Sequence, residues 1–279
     1  MISCIVNGAT QLLGIVGDPI RQVRSPEVWS ALFRQNSVNA LCIPLHVAAA
    51  DLQPFLASMR TVRNLMGMIV TIPHKPAARR IANEVTKRAS EVGAVNVMRP
   101  RPEGGWLGDI VDGVGFVNAL LSRGQRIRGR RALVVGSGGV GSAIAFALAE
   151  AGVACVAVSD IAAERATDLA RRIQAASGVR SFVSAARADG FDLVVNASPM
   201  GMREGDPLPL DCTGLTAGAI AADVVVQPEI TPFLAIARDI GCYVQPGTRM
   251  MDHQVEAMAE FFDWGAGDWS PEAIKKATA

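Results

Sequence analysis

One run of the chain, residues 131–160, constrains the fold more than any other. Ala132 to Val135 is a short apolar stretch suited to a buried parallel strand, and Gly136, Gly138 and Gly141 follow as G-x-G-x-x-G. Ser142 to Ala151 then has helix-forming composition. Strand, glycine turn and helix in that order are the context a dinucleotide fingerprint requires. Glycines at the turn let the backbone approach a pyrophosphate, whose charge rests on the free N–H groups at the helix start. The turn residues Gly136, Gly138, Gly139, Val140 and Gly141 are therefore candidate cofactor contacts. A second apolar run, Ala154 to Val158, ends in Ser159-Asp160. A carboxylate there accepts hydrogen bonds from a ribose 2′-hydroxyl and repels a 2′-phosphate, so Asp160 favours NAD over NADP.

Composition narrows the class. The chain has 279 residues, enough for a large core and, as a prior, two domains. Half of the residues are hydrophobic and 19% are charged, which is the balance of a globular protein. A formal net charge of +1 gives no support for nucleic acid or an anionic membrane as partner. Cys4, Cys42, Cys155, Cys212 and Cys242 lie far apart with no C-x-x-C, which reads as buried thiols in a reducing cytoplasm. His46, His74 and His253 form no metal-ligand spacing, so no metal is expected. Ala132 to Ala149 runs 18 residues without a charge, but its glycines fall at the strand–helix turn and split it into pieces too short to span a bilayer. Nothing at the N-terminus resembles a signal peptide.

Strand-like and helix-like pieces alternate along the chain, which implies an α/β protein with mainly parallel sheets. Leu12 to Val16 reads as a strand closed by Gly17-Asp18-Pro19, and Ser25-Pro26 as the N-cap and first position of a helix. Leu41 to Leu45 and Met66 to Ile72 read as further strands, the latter stopped by Pro73 with His74-Lys75 just beyond. Gly93 to Val97 is expected to re-enter a strand, and Arg99 to Gly105 to turn a hairpin. In the second half, Phe191 to Ala197 and Ala219 to Val226 read as buried strands, and Thr231-Pro232 opens a helix. A single helix from Met250 to about Trp264 would place Met251, Val255, Met258 and Phe262 on an apolar stripe with Gln254 beside it.

The separated motifs Gly17-x-Pro19-Ile20…Ser25-Pro26, Val70-Thr71-Ile72-Pro73-His74-Lys75, Gly93-Ala94-Val95-Asn96, Asp112-Gly113, Asn196-Ala197-Ser198-Pro199-Met200-Gly201 and Thr231-Pro232…Gly247…Gln254 run over nearly the whole chain. Together they resemble the shikimate/quinate dehydrogenase family. The resemblance implies two α/β domains with a cleft between them. Residues 1–113 would form a substrate-binding and catalytic domain, 114–247 a Rossmann NAD-binding domain, and 248–279 helices that pack back on the first. It implies Lys75 and Asp112 as the catalytic pair, and Ser25, Thr71, Asn96 and Gln254 as substrate contacts. Asn196, Ser198 and Met200 would join the cofactor contacts. Hydride transfer from an alcohol needs a group to take the hydroxyl proton, and a lysine beside a carboxylate, each just past a strand end, suits that task.

Four departures stand out. The family's two serines in the first motif are here Val23 and Ser25, and its asparagine before Val-Thr is Ile69. Its Asn-Thr before the catalytic aspartate is Ile110-Val111, and its tyrosine after the strand ending at Asp223 is Val226. In the family the serine pair and the tyrosine hold the substrate carboxylate. An anion without donors in a closed cleft is strongly disfavoured, so either Arg21, Arg24 or Arg249 replaces them or the substrate differs. Three readings stand: an NAD-preferring oxidoreductase acting on a hydroxylated, cyclic, acidic small molecule; a true shikimate or quinate dehydrogenase; and a non-catalytic NAD-binding regulator. All are cytoplasmic, with no nucleic-acid or membrane partner, as monomer or homodimer.

Overall fold

In the computed structural model, residues 6–278 are described, so Cys4 lies outside them. The chain divides into two compact units. One runs to Ile110 and is taken up again from Val255; the other is Val111–Gln254. The first unit contains, in chain order, β1 (Gln11–Gly17), α1 (Ser25–Gln35), β2 (Ala40–His46), α2 (Leu52–Met59), β3 (Leu65–Val70), α3 (Lys75–Ile81), β4 (Glu84–Val85), α4 (Lys87–Val92), β5 (Val97–Pro100) and β6 (Trp106–Asp109). Its sheet has the order β2-β1-β3-β5-β6-β4. β1 pairs in parallel with β2 and β3, and β5 runs antiparallel to both β3 and β6. The expected hairpin over 99–105 is thus the β5–β6 turn.

The second unit contains α5 (Asp112–Leu121), β7 (Arg131–Val135), α6 (Gly139–Glu150), β8 (Cys155–Ser159), α7 (Ala163–Ser177), β9 (Arg180–Val183), β10 (Leu193–Asn196), β11 (Ile220–Asp223), α8 (Pro232–Ile240), β12 (Tyr243–Gln245) and α9 (Gly247–Asp252). Its strands pair in parallel in the order β12-β11-β10-β7-β8-β9. Counted from β7, that is the doubly wound 3-2-1-4-5-6 arrangement, whose order reverses between β7 and β10. Ala132, Leu133, Val134 and Leu193–Val195 are fully buried, as strands with both faces covered must be. Around them α7 buries Ala166, Leu169, Ala170 and Ile173, one helical face, and stops at Gly178 in the left-handed conformation.

Helices α10 (Gln254–Phe262) and α11 (Pro271–Thr278) close the chain. Here the structure corrects the expectation of one helix over 250–264. The chain breaks at His253, which caps α9, and the apolar stripe is divided between two helices. Residues 248–254 also stay with the second unit rather than joining the first, because α9 packs on α5. A side chain at Gly115 would collide with the Met250 carbonyl and the Gln254 side chain, so the bare glycine permits that packing. Beyond the break, Phe262 lies over Gly67 of β3, and α11 packs on α1. Trp29 and Phe33 of α1 meet Trp264 and Trp269 in tilted and edge-on ring contacts, with Phe262 stacked on Trp264 at 4.7 Å between centroids. Ring pairs of this kind each add about 0.5–1.5 kcal/mol beyond the area they bury.

Three smaller corrections have local causes. Ser25 is not an N-cap: Arg24 holds that position, and Pro26 lies within the first turn of α1. β3 ends at Val70 rather than at Ile72, as the chain turns at Thr71, whose carbonyl accepts from the His74 N–H. β5 starts at Val97 because Gly93 ends α4 in the left-handed region and the Val95 N–H is drawn to the Lys75 carbonyl. β4, β9 and β12 are short strands without a clear sequence signal. No helix among the described residues is long and apolar enough to cross a membrane. Cys42, Cys155 and Cys242 are buried free thiols, Cys212 is half-buried and free, and burial pushes the Cys42 thiol up.

At the end of β6 the buried Asp109 carboxylate accepts from the Arg88 guanidinium, the Thr86 hydroxyl and the Ile110 N–H, tying α4 to β6. Removing the cation leaves a buried charge under-satisfied. Arg88→Met is expected to cost about 2–3 kcal/mol, read as a lower urea midpoint at unchanged m-value; an unchanged midpoint would show that Thr86 and Ile110 suffice.

Candidate active site

In the second unit, register creates the site. Val135, Ser159, Asn196 and Asp223 are aligned across β7, β8, β10 and β11, so the residues that follow them emerge together at the C-terminal edge of the sheet. Gly136 is in the left-handed region at φ 104°, and a Cβ there would lie 2.8 Å from the Ala197 backbone. A Cβ on Gly141 would lie 1.9 Å from the Gly136 carbonyl oxygen. Both glycines are demanded by packing. Gly138 is different: a Cβ there would meet nothing within 4 Å. The protein itself has no use for that bare position, whereas a pyrophosphate approaching the start of α6 does. The residues present therefore fit a dinucleotide.

Asp160 closes this turn. Its Oδ2 accepts from the Ser137 N–H at 2.7 Å and the Ser137 hydroxyl at 2.6 Å, and its Oδ1 from the Ala162 N–H at 2.9 Å. Partial burial pushes the carboxyl up, but the Ser137 and Ala162 hydrogen bonds and the Arg165 charge outweigh it and hold the group below the ordinary carboxylate range. A fixed negative charge thus stands at the end of β8 with acceptor capacity left on Oδ1. Ser137, the unremarked residue between two glycines, is the partner that sequence reading missed.

Asn196 is fully buried. Its amide donates to both oxygens of Asp223 and to the Met200 carbonyl, and its oxygen accepts from the Ser198 N–H and hydroxyl. Every hydrogen-bonding position of Asn196 is spent inside the protein. The side chain thereby shapes the loop of residues 197–201 that follows it. Ser198 and Met200 lie half-buried on that loop. Asp223 also accepts from the Val225 N–H and the Thr231 hydroxyl, the latter capping α8. Burial raises the Asp223 carboxyl from 3.8 to about 6, against the pull of those hydrogen bonds.

Asp112 is the first residue of α5 and is buried, where a carboxylate is favoured by the helix dipole. Gln254 Nε2 donates to its Oδ1 at 3.1 Å, joining the two ends of this unit. Gly113 beside it lets α5 press on α6, since a Cβ would lie 2.2 Å from the Ala143 carbonyl.

In the first unit, the ends of β1 and β3 gather Thr71, Lys75 and Asn96. The Val70 N–H donates to the Asn96 carbonyl, the Thr71 N–H to the Val16 carbonyl, and the Val95 N–H to the Lys75 carbonyl. Lys75 opens α3 and is buried, as is Asn96. Thr71 is half-buried and packs its methyl group where Gly17 lacks a side chain. Ser25 is half-buried at the start of α1. His74 is structural: its buried ring bonds the Val47 carbonyl at 2.8 Å. His253 is half-buried and bonds Ser122, and the exposed His46 bonds Asp18 at 2.7 Å.

A doubly wound sheet with a glycine turn and a carboxylate after its second strand is the arrangement that dinucleotide-dependent oxidoreductases use, and the chain carries a second α/β unit as well. Comparison with known proteins agrees. The family described as "Shikimate dehydrogenase substrate binding domain" matches residues 15–98. "Shikimate dehydrogenase (NADP(+))" of Rubrobacter xylanophilus is 33% identical over 278 residues, 98% of this chain and 96% of that protein. Two solved structures are similar over 96% of this chain and 98% of theirs, each with a TM-score of 0.85. They are the quinate dehydrogenase of Corynebacterium glutamicum in complex with NAD, 29% identical, and the 5-ketofructose reductase of a Gluconobacter strain, 25% identical. The chain belongs to the shikimate dehydrogenase family. It is an enzyme, an NAD(P)-dependent alcohol dehydrogenase of that type, and the reading as a non-catalytic regulator falls.

Two outcomes follow. Gly138→Ala is expected to leave stability within about 0.5 kcal/mol while weakening NAD(P)H binding about tenfold, whereas Gly141→Ala costs about 1–3 kcal/mol of stability; fluorescence titration and denaturant melts separate the two, and equal behaviour would contradict the assignment. The Asp223 carboxyl is expected to titrate near 6 in carbon-13 NMR. Because the folded group holds its proton more tightly than the unfolded one, its contribution to stability is lost as pH rises from about 4 to about 6. Asp223→Asn should remove that slope, and a slope retained in the variant would assign it elsewhere.

Proposed function

We propose that this enzyme prefers NAD and interconverts a hydroxylated, cyclic, acidic small molecule and its ketone. The observation that carries the cofactor reading is Asp160, locked by Ser137 and Ala162 with its charge retained. A carboxylate so held accepts from a ribose diol and repels a 2′-phosphate. The Rubrobacter relative is named for NADP(+), and the quinate dehydrogenase was solved with NAD, so the family admits both. Bound NAD supplies the hydride acceptor for alcohol oxidation, and its reduced form the donor for the reverse.

The chain's own residues then handle the proton and the hydroxyls. Lys75 takes the proton released by the reacting hydroxyl, and Asp112, steadied by Gln254, is its acidic counterpart. Gln254 keeps its Oε1 for a substrate hydroxyl, and Ser25, Thr71 and Asn96 serve other hydroxyls from the first unit. The cofactor-side contacts are the turn 136–141, Asp160, and the loop carrying Ser198 and Met200.

The end of the substrate that the family grips through serines and a tyrosine is altered, since Val23 and Val226 have no hydroxyl to offer. Arg21 and Arg24 flank Val23, and neither forms an ion pair among the described residues, so they are the nearest cations in sequence to a carboxylate placed there. Arg249 is the third candidate. A neutral, sugar-like substrate is the second reading. It is favoured by the same loss of hydroxyls and by the likeness to a 5-ketofructose reductase. The buried free thiols support residence in a reducing cytoplasm.

Steady-state rates with NAD and NADP against shikimate, quinate and a set of neutral cyclic polyols and keto-sugars test these readings. Turnover of a cyclic hydroxy acid with NAD, falling about 10²–10⁴-fold in kcat for Lys75→Ala, is the expected result. Turnover confined to neutral sugars would establish the second reading, and full activity in Lys75→Ala would overturn the assignment of the proton carrier.

A further inference from the structure

Three segments meet on the buried carboxylate of Asp223. They are the end of β10 through Asn196, the chain after β11 through the Val225 N–H, and the head of α8 through Thr231. Asn196 and Asp223 are 0% and 1% exposed, and Thr231 is 1% exposed, so water corrects nothing here. The direction of each hydrogen bond therefore matters. A carboxylate only accepts. The Thr231 hydroxyl must donate its one proton to Oδ2, at 2.8 Å, and the Asn196 amide must turn its NH₂ toward Asp223, at 3.1 Å to each oxygen. Once the NH₂ faces Asp223, the Asn196 oxygen necessarily faces Ser198, where it accepts from the N–H at 3.0 Å and the hydroxyl at 2.6 Å. The second amide proton holds the Met200 carbonyl at 2.9 Å, and the Ser198 Oγ accepts from the Met200 N–H at 3.3 Å. Were the amide reversed, the Ser198 donors would confront an NH₂ group in a dry site.

We propose that Asp223 is a positioning residue for the cofactor: by fixing the orientation of the Asn196 amide it sets the conformation of loop 197–201 and couples that loop to the N-terminus of α8. The inference rests on the reading that this loop lies against the nucleotide. Asp223 touches neither cofactor nor substrate in this role; it acts through Asn196. Asparagine at 223 would fill the same volume but replace one acceptor with a donor that confronts either the Asn196 NH₂ or the Thr231 hydroxyl.

The test measures NADH dissociation constants by fluorescence titration, and hydrogen exchange of loop 197–201 without cofactor. Asp223→Asn, Thr231→Val, Thr231→Ser, Ser198→Ala and Met200→Ala are compared with the parent protein. The expected result is about tenfold weaker NADH binding and faster exchange over 197–201 in Asp223→Asn, the loss expected for one hydrogen bond to a charged group. Thr231→Val should show the same signature more mildly, and Thr231→Ser, which keeps the donor, should restore both readouts. Should Asp223→Asn fail to fold, the valine and serine variants decide the matter. Weaker binding in the Ser198 and Met200 variants alone, with 223 and 231 variants at parental affinity and exchange, would overturn the role of Asp223 and leave the loop's contact with cofactor standing. Parental affinity in all of them would overturn both.

Discussion

The carbonyl oxygen of Gly136 occupies the space into which a side chain on Gly141 would project, and the second unit depends on that closeness. It brings the start of α6 down onto the turn after β7, so that the free N–H groups of the helix lie at the edge of the sheet. The same turn is pressed against Ala197, at the point where the strand order reverses. Packing alone explains two of the three glycines. The third, Gly138, is bare without a neighbour that requires it, which leaves room for a pyrophosphate at the start of α6.

Around the turn, polarity is arranged by carboxylates with opposite fates. Asp160 is only partly buried, and donors on three sides keep it ionised, so it presents charge. Asp223 is enclosed, and burial outweighs the hydrogen bonds it accepts, so its carboxyl titrates much higher, near 6. On the proposed reading, one carboxylate faces the cofactor and the other holds protein segments together. Asp112, at the head of α5, accepts from the Gln254 amide at a helix N-terminus, where the dipole favours a carboxylate.

Much of this was legible in the sequence, for identifiable reasons. The glycine turn, the strand before it and Asp160 are local, and their spacing carries the geometry. The motifs around Lys75 and Asp112 mark the ends of β3 and β6 to within a few residues, whereas Asn96 lies just before β5. What was not legible depends on long-range pairing. The Asn196 amide reads as a residue at the mouth of a site until Asp223, 27 residues on and itself held by Thr231, is seen to engage it. The apolar stripe from Met251 to Phe262 has unbroken helical period, yet the helix breaks at His253 because α9 is bound to α5 while Val255 onward belongs to the other unit. Periodicity reports which residues are buried, not against what. Ser137 gives no signal at all, since its importance comes only from the neighbouring strand that delivers Asp160.

The measurement closest to the centre of this account is the ratio of dissociation constants for NADH and NADPH on the unaltered enzyme at physiological ionic strength. A carboxylate fixed and ionised at the end of β8 predicts NADH bound at least about tenfold more tightly. Equal affinities, or tighter NADPH, would mean that Asp160 serves only to hold Ser137 and that the cofactor reading drawn from it is wrong.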